Sequence, residues 1–135
     1  MIEEAYVSYE VAKLLKEKGF NIPITTACHK IYSDDRPDTS MWVSSGPEDW
    51  NDISEENNVA KVYSCPTQAL AMRWLREKHN LYIVVFPESD IEVFYIKGFY
   101  FDIWTPVGNE YDRKIYKTYE EACEVAIKYC LENLI

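Results

Sequence analysis

The sequence predicts an α+β domain in which an antiparallel sheet of about four to six strands packs against three helices, with the C-terminal helix lying on the sheet. A chain of 135 residues suits one domain. Strand-like segments come in runs joined by short turns, which favours antiparallel pairing, and segments with helical spacing flank those runs. We therefore expect residues 1–135 to form a single domain with an acidic loop region at about 33–58.

The first helix is predicted from Ser8 to Lys18. Ser8 is a suitable N-cap, because its hydroxyl can accept a backbone N–H of the first turn. Gly19 is expected to end the helix in the left-handed conformation. The apolar stripe of this helix consists of Val7, Val11, Leu14 and Leu15.

Strand-like segments follow the first helix at 22–32, 41–44 and 59–63. A cluster of turn residues at 33–38 separates the first two segments. The polar and acidic stretch 46–58 is interpreted as a long loop that leads to the third strand.

The second helix is predicted to open at Cys65–Pro66, where proline is tolerated in the first turn, and to run to about His79. Further strands are predicted at Leu81–Phe86, which Pro87 ends, at Glu92–Lys97 and Phe99–Trp104, which turn at Lys97–Gly98, and at Arg113–Lys117. A turn is expected at Val107–Glu110.

The last helix carries the clearest local signals in the chain. Thr118 and Glu121 have the spacing of a capping box, in which each side chain binds a backbone N–H of the first turn. Apolar residues then recur every three or four positions as far as Leu134, and Cys123 and Cys130 lie on this stripe. Both cysteines are therefore expected to be core residues.

Three of these segments, "SYEVAKLLKEKGF", "PTQALAMRWLREKHNLYIVV" and "TYEEACEVAIKYCLE", together resemble a family of small uncharacterised proteins of gut Bacteroidales, their prophages and mobile elements. The resemblance covers about 50 of the 135 residues and consists mainly of helices. It implies a phage or mobile-element setting and no catalytic residues, because no activity is established for that family.

Charge and composition narrow the classes of function. The net charge of −9 and pI of about 4.7 disfavour direct binding to nucleic acid and to anionic membranes. The first residues lack the pattern of a signal peptide, and no apolar run is long enough to span a bilayer. Four cysteines without a C-x-x-C pair are typical of a reducing compartment, so the expected location is cytoplasmic.

The segment "TACHKIY" raises the possibility of a Cys–His enzyme. On a strand, however, Cys28 and His29 point to opposite faces and cannot act on one another, so we interpret the segment as a strand with a buried cysteine. Cys28, His29, Cys65 and His79 also lack the spacing of a metal site. Nucleotide, phosphate, EF-hand and hydrolase motifs are absent as well. We therefore predict no catalytic residue, no metal and no cofactor.

The acidic segment 34–56 is the most distinctive feature of the sequence. Eight acids and one base give it −7 of the total charge of −9, and it contains two tryptophans, which are typical interface anchors. We predict a non-enzymatic interaction module in which this segment binds a basic or nucleic-acid-binding protein. The predicted site consists of Asp34, Asp35, Asp38, Trp42, Glu48, Asp49, Trp50, Asp52, Glu55 and Glu56.

Two alternatives remain open at this point. One is a small enzyme that uses carboxylates as acid and base. The other is an assembly subunit that forms a homo-oligomer through an aromatic sheet face, since the segment 93–104 is aromatic on both sides: Phe99, Phe101 and Ile103 on one, Tyr100 and Trp104 on the other.

Overall fold

The computed structural model describes residues 2–31, 39–53 and 60–135. The chain divides into two compact units, Met1–Thr67 and Gln68–Ile135, and each contains a three-stranded antiparallel sheet with helices. The α+β class and the antiparallel pairing are confirmed. The prediction of one sheet with three helices is wrong in its counts, because the described residues form two three-stranded sheets and four α-helices, the last of which continues into a π-helical turn.

The first unit contains five elements: α1 (Tyr9–Glu17), β1 (Ile24–Ile31), β2 (Thr39–Glu48), α2 (Trp50–Ile53) and β3 (Ala60–Ser64). Its strands lie in the order β2-β1-β3, so that β1 is central and β2 forms one edge. The loop predicted over 46–58 is replaced by the end of β2 and by α2 as far as Ile53, and residues 54–58 lie outside the described part of the chain.

Local signals set both ends of α1 as predicted. The Ser8 hydroxyl accepts the Val11 N–H at 3.2 Å, and Gly19 follows the helix with a φ of +89°. Val11 and Leu15 are buried on the inner side of the helix. The Cys65 N–H donates to the Thr26 carbonyl at 3.0 Å, which ties the end of β3 to β1.

The second unit also contains five regular elements and the π-helical turn. They are α3 (Gln68–His79), β4 (Tyr82–Asp90), β5 (Tyr95–Thr105), β6 (Gly108–Tyr111), α4 (Tyr119–Tyr129) and the turn Cys130–Leu134. The strands lie in the order β4-β5-β6. Thr118 caps α4 by accepting the Glu121 N–H at 3.0 Å, as predicted. The Glu121 carboxylate accepts the N–H of Lys117, one residue before the N-cap, where a capping box would have it accept the N–H of Thr118.

Several strand boundaries in this unit were predicted wrongly. The strand predicted from Glu92 begins instead at Tyr95, because residues 91–94 form the turn between β4 and β5. Pro87 does not end β4, because β4 is an edge strand and a proline there costs no necessary hydrogen bond. Gly98 is not a turn but lies inside β5, where Phe99 exchanges two backbone hydrogen bonds with Tyr116. A Cβ on Gly98 would overlap the Ile115 side chain and the Tyr116 carbonyl, so glycine marks a close approach of two chain segments.

The strand predicted at 113–117 and the turn predicted at 107–110 are also displaced. The strand is β6, which begins at Gly108, and residue Tyr116 forms only an isolated bridge with Phe99. The φ of Gly108 is +141°, a backbone conformation that glycine adopts readily.

The sheet of the second unit has two different faces. Phe101 and Ile103 are buried on the face that α4 covers, which confirms that the C-terminal helix packs on the sheet. Cys123 and Cys130 are fully buried beneath it, as predicted for core residues. The other face carries Tyr100 and Trp104, in agreement with the alternation expected of a strand.

Candidate functional site

The two tryptophans of the predicted acidic site lie against one another. The ring centroids of Trp42 on β2 and Trp50 on α2 are 4.8 Å apart, with an angle of 60° between the rings. The Trp50 indole N–H donates to the Ile24 carbonyl at 2.9 Å. Trp50 is therefore fixed to β1, and it supports the ring of Trp42, which remains 38% exposed.

Trp42 is the centre of an exposed apolar run. Met41, Trp42 and Val43 are 46%, 38% and 69% exposed, although they follow one another along a strand. An ordinary strand would bury one of its two faces. The run also lies on an edge strand, which has β1 on one side and no strand on the other among the described residues. Consecutive exposed apolar residues at a sheet edge are typical of an interaction surface.

The described carboxylates of the predicted site have different roles. Glu48 is exposed at the end of β2, directly across from Ile24, whose carbonyl holds Trp50. Asp52 is exposed on α2. Asp49 is half-buried and its carboxylate accepts the Asn51 N–H at 3.2 Å, so this residue stabilises the start of α2.

The structure thus brings together part of the predicted site. We call Met41, Trp42, Val43, Glu48 and Asp52 the Trp42 edge, with Trp50 and Asp49 as its supports. The predicted carboxylates Asp34, Asp35, Asp38, Glu55 and Glu56 lie outside the described residues.

Asn51 is a further support that the sequence did not reveal. Its side-chain amide donates to the Phe20 carbonyl at 2.9 Å, and its side-chain oxygen accepts the Ser64 N–H at 2.9 Å. One side chain on α2 therefore bonds to the segment after α1 and to the end of β3. In the sequence Asn51 stands among acids in a polar stretch and carries no sign of this role.

The Cys28–His29 pair belongs to β1, as predicted. Cys28 is 4% exposed, and a hydrogen bond with Cys65, together with burial, raises the pKa of its thiol. The Cys65 thiol in turn donates to the Val7 carbonyl at 3.2 Å. Since the thiolate is the nucleophilic form, buried thiols with raised pKa values are poorly reactive.

His79 stands at the end of α3, in the second unit. Its ring packs edge-on against Trp74, with ring centroids 4.8 Å apart. Burial lowers the pKa of His79, because the charged form is disfavoured away from water. In this environment His79 acts as a packing partner of Trp74.

Some of the cavities in the structure are lined entirely by residues of the second unit. The first, of about 220 Å³, is lined by Asn80, Tyr82, Trp104, Thr105 and Pro106. The second, of about 190 Å³, is lined by Phe101, Ile103, Glu110, Tyr111, Asp112 and Tyr129. In the second cavity the Tyr129 hydroxyl donates to Glu110, which raises the pKa of Tyr129, and the Tyr116 hydroxyl donates to Asp112 at 3.3 Å. Tyrosine hydroxyls thus engage both carboxylates.

Among the described ranges 2–31, 39–53 and 60–135, no group of three or more His, Cys, Asp or Glu side chains is placed to hold a metal ion. The same part of the chain contains no helix that is both long and apolar enough to cross a membrane. Comparison with protein-family models, curated protein sequences and solved structures gave no match.

Proposed function

We propose that this protein is a non-enzymatic interaction module that binds a basic segment of another protein at the Trp42 edge. The observation that supports this proposal is the exposed run Met41–Val43 at a sheet edge, supported from behind by Trp50. The resemblance of the helical segments suggests a phage or mobile-element setting, in which the partner is a host or viral protein.

The edge position of β2 suggests how such a segment binds. An extended peptide can add a strand to an open sheet edge, so that main-chain hydrogen bonds supply affinity and alternate side chains supply specificity. Since the described residues place no strand beyond β2, its outer edge is available for this kind of pairing. Trp42 then acts as the anchor, because a rigid aromatic side chain buries a large area at a small entropic cost.

The carboxylates give the edge its preference for a basic partner. Glu48 and Asp52 are both exposed and lie two positions before and after Trp50 along the chain, and the whole segment 34–56 carries a net charge of −7. Exposed charges of this kind mainly accelerate association and make it sensitive to salt, since the screening length is about 8 Å at physiological ionic strength.

The proposal is tested by capturing partners from a host lysate and then measuring binding with the purified partner. The baits are wild type, Trp42→Ala, and the double variant Glu48→Gln/Asp52→Asn. Tyr95→Ala is the matched control, since Tyr95 is an exposed aromatic residue of the second unit. We expect a basic partner that binds wild type and Tyr95→Ala, is lost from Trp42→Ala, and binds the double variant more weakly at low salt. Equal binding by all four baits would contradict the proposal.

A further inference from the structure

The sheet face opposite α4 is an exposed aromatic surface in the second unit. Tyr82 on β4 lies across from Trp104 on β5, and Phe86 lies across from Tyr100. Phe86 and Tyr100 also stack, with centroids 5.2 Å apart. We call this surface the aromatic face; it consists of Tyr82, Val84, Phe86, Tyr100, Asp102, Trp104 and Tyr111. Four of these side chains are large, apolar and exposed to solvent: Tyr82, Val84, Trp104 and Tyr111.

Asp102 lies in the middle of this face, between Val84 on β4 and Tyr111 on β6. Its carboxylate oxygen Oδ1 is shielded from solvent and accepts no hydrogen bond from any described residue. The residue as a whole is half-buried, so a cation that approaches this face can still interact with its negative charge.

Arg113 supplies a cation on the same face. Its guanidinium carbon lies 4.6 Å from the ring centroid of Tyr111 and 5.7 Å from that of Tyr100. Arg113 is exposed, and it makes no ion pair with a residue in the described part of the chain. Within the part of the chain that the structure describes, the aromatic face therefore carries one carboxylate, Asp102, and one guanidinium, Arg113, that forms no ion pair.

We propose that two copies of this chain bind one another through the aromatic face, about a two-fold axis. In a two-fold interface, if residue i of one copy contacts residue j of the other, then residue j of the first copy also contacts residue i of the second. A surface that carries one acid and one base can therefore form two opposite-charge pairs with a second copy of itself. Asp102 of one copy then pairs with the partner's Arg113, and this happens twice. The surrounding rings exclude water from both pairs, which strengthens the attraction.

The small size of the face limits the strength expected of this dimer. Three strands about 4.8 Å apart, each presenting roughly 17 Å of its length, give about 250 Å² in projection. Even with the relief of the side chains, this is less than the ~800 Å² per partner of a standard interface. We therefore expect a dimer that dissociates in the micromolar range, on the order of the weaker reversible assemblies. This inference goes beyond the proposed function and uses none of the residues of the Trp42 edge.

The test is sedimentation equilibrium of wild type and two charge-reversal variants over a concentration series. A dimer of Asp102→Arg would have cations at both position 102 and position 113, and a dimer of Arg113→Asp would have carboxylates at both. We therefore expect each variant alone to dimerise at least tenfold more weakly than wild type. An equimolar mixture of the two variants restores both opposite-charge pairs, so we expect it to form heterodimers with nearly the wild-type affinity. Glu92→Arg, at an exposed turn, is the control and should dimerise like wild type.

Two further measurements make the result decisive. Circular dichroism establishes that each variant is folded, and Trp104→Ala provides a second weakening substitution that leaves both charges in place. A wild-type protein that remains monomeric at hundreds of micromolar would overturn the proposal. So would a mixture of folded charge-reversal variants that dimerises no better than either variant alone.

Discussion

Trp50 fixes the position of Trp42. The two rings pack with centroids 4.8 Å apart, and the indole N–H of Trp50 donates to the Ile24 carbonyl at 2.9 Å. The second tryptophan of the acidic segment is therefore a support, and the first is the exposed residue of the pair.

Trp50→Phe removes the indole N–H and part of the ring. We expect the protein to lose about 1–2 kcal/mol of unfolding free energy, since the Ile24 carbonyl loses its donor, and partner binding to weaken because Trp42 loses its support. Trp42→Ala should change stability less, because this side chain is partly exposed, but should weaken binding at least tenfold. Urea unfolding and binding to the purified partner separate these two effects, and an identical stability loss in both variants would contradict the assigned roles.

Asn51→Ala tests the side chain that links α2 to two other segments. The substitution leaves the Phe20 carbonyl and the Ser64 N–H without their partner, and Ser64 is fully buried. We expect a loss of about 2–3 kcal/mol in unfolding free energy. Asn109→Ala, at an exposed position on β6, is the matched control and should lie within about 0.5 kcal/mol of wild type. Equal stability of the two variants would argue against the bridging role.

Gly98→Ala tests the close approach between β5 and the segment at Ile115–Tyr116. A methyl group at this position overlaps a backbone carbonyl, which cannot move away like the end of a flexible side chain. We expect a loss of about 1–3 kcal/mol. Gly46→Ala is the control, because a Cβ at Gly46 meets open space. Thermal or urea unfolding gives both values, and a stable Gly98→Ala protein would mean that the two segments are not in contact.

Because of the buried thiols, we expect the free energy of unfolding to fall at alkaline pH. Burial raises the pKa of Cys123 to about 11 and that of Cys130 to about 12. The unfolded chain releases these protons first, near pH 9, so stability is complete below that pH and falls as pH rises toward the folded-state pKa values. Between pH 8 and pH 10 we expect each thiol to contribute a loss of about 1 kcal/mol.

The measurement is urea unfolding at pH 8 and pH 10 for wild type and for Cys123→Ala/Cys130→Ala. The variant should be less stable at pH 8, because it leaves cavities in the core, but should lose less stability on going to pH 10. A variant with the same loss as wild type would show that other groups cause the pH dependence.

The sequence predicted those parts of the fold that depend on local signals. Ser8 and Thr118 cap their helices as expected, because capping involves residues within one turn. Gly98 was misinterpreted as a turn because its constraint comes from Tyr116, eighteen positions away in the chain. A glycine inside a strand and a glycine in a turn look alike until the neighbouring segment is known.

The candidate site was predicted in the same incomplete way. Composition indicated an acidic segment with two tryptophans, and the structure places Trp42 and Trp50 together. The supporting bonds of Trp50 and Asn51 were not predictable, since each joins residues more than ten positions apart. Asp102 and Arg113 carry no local motif either: the strand register places Asp102 on the aromatic face, and contacts with the rings of Tyr111 and Tyr100 place Arg113 there.

The most direct test of the central claim is the affinity of the purified partner for wild type and for Trp42→Ala, measured by calorimetry at low and high salt with Tyr95→Ala as control. We predict that wild type and the control bind alike and more weakly in high salt, while Trp42→Ala loses at least tenfold in affinity at both salt concentrations. An unchanged affinity in folded Trp42→Ala would show that the Trp42 edge is not the binding surface.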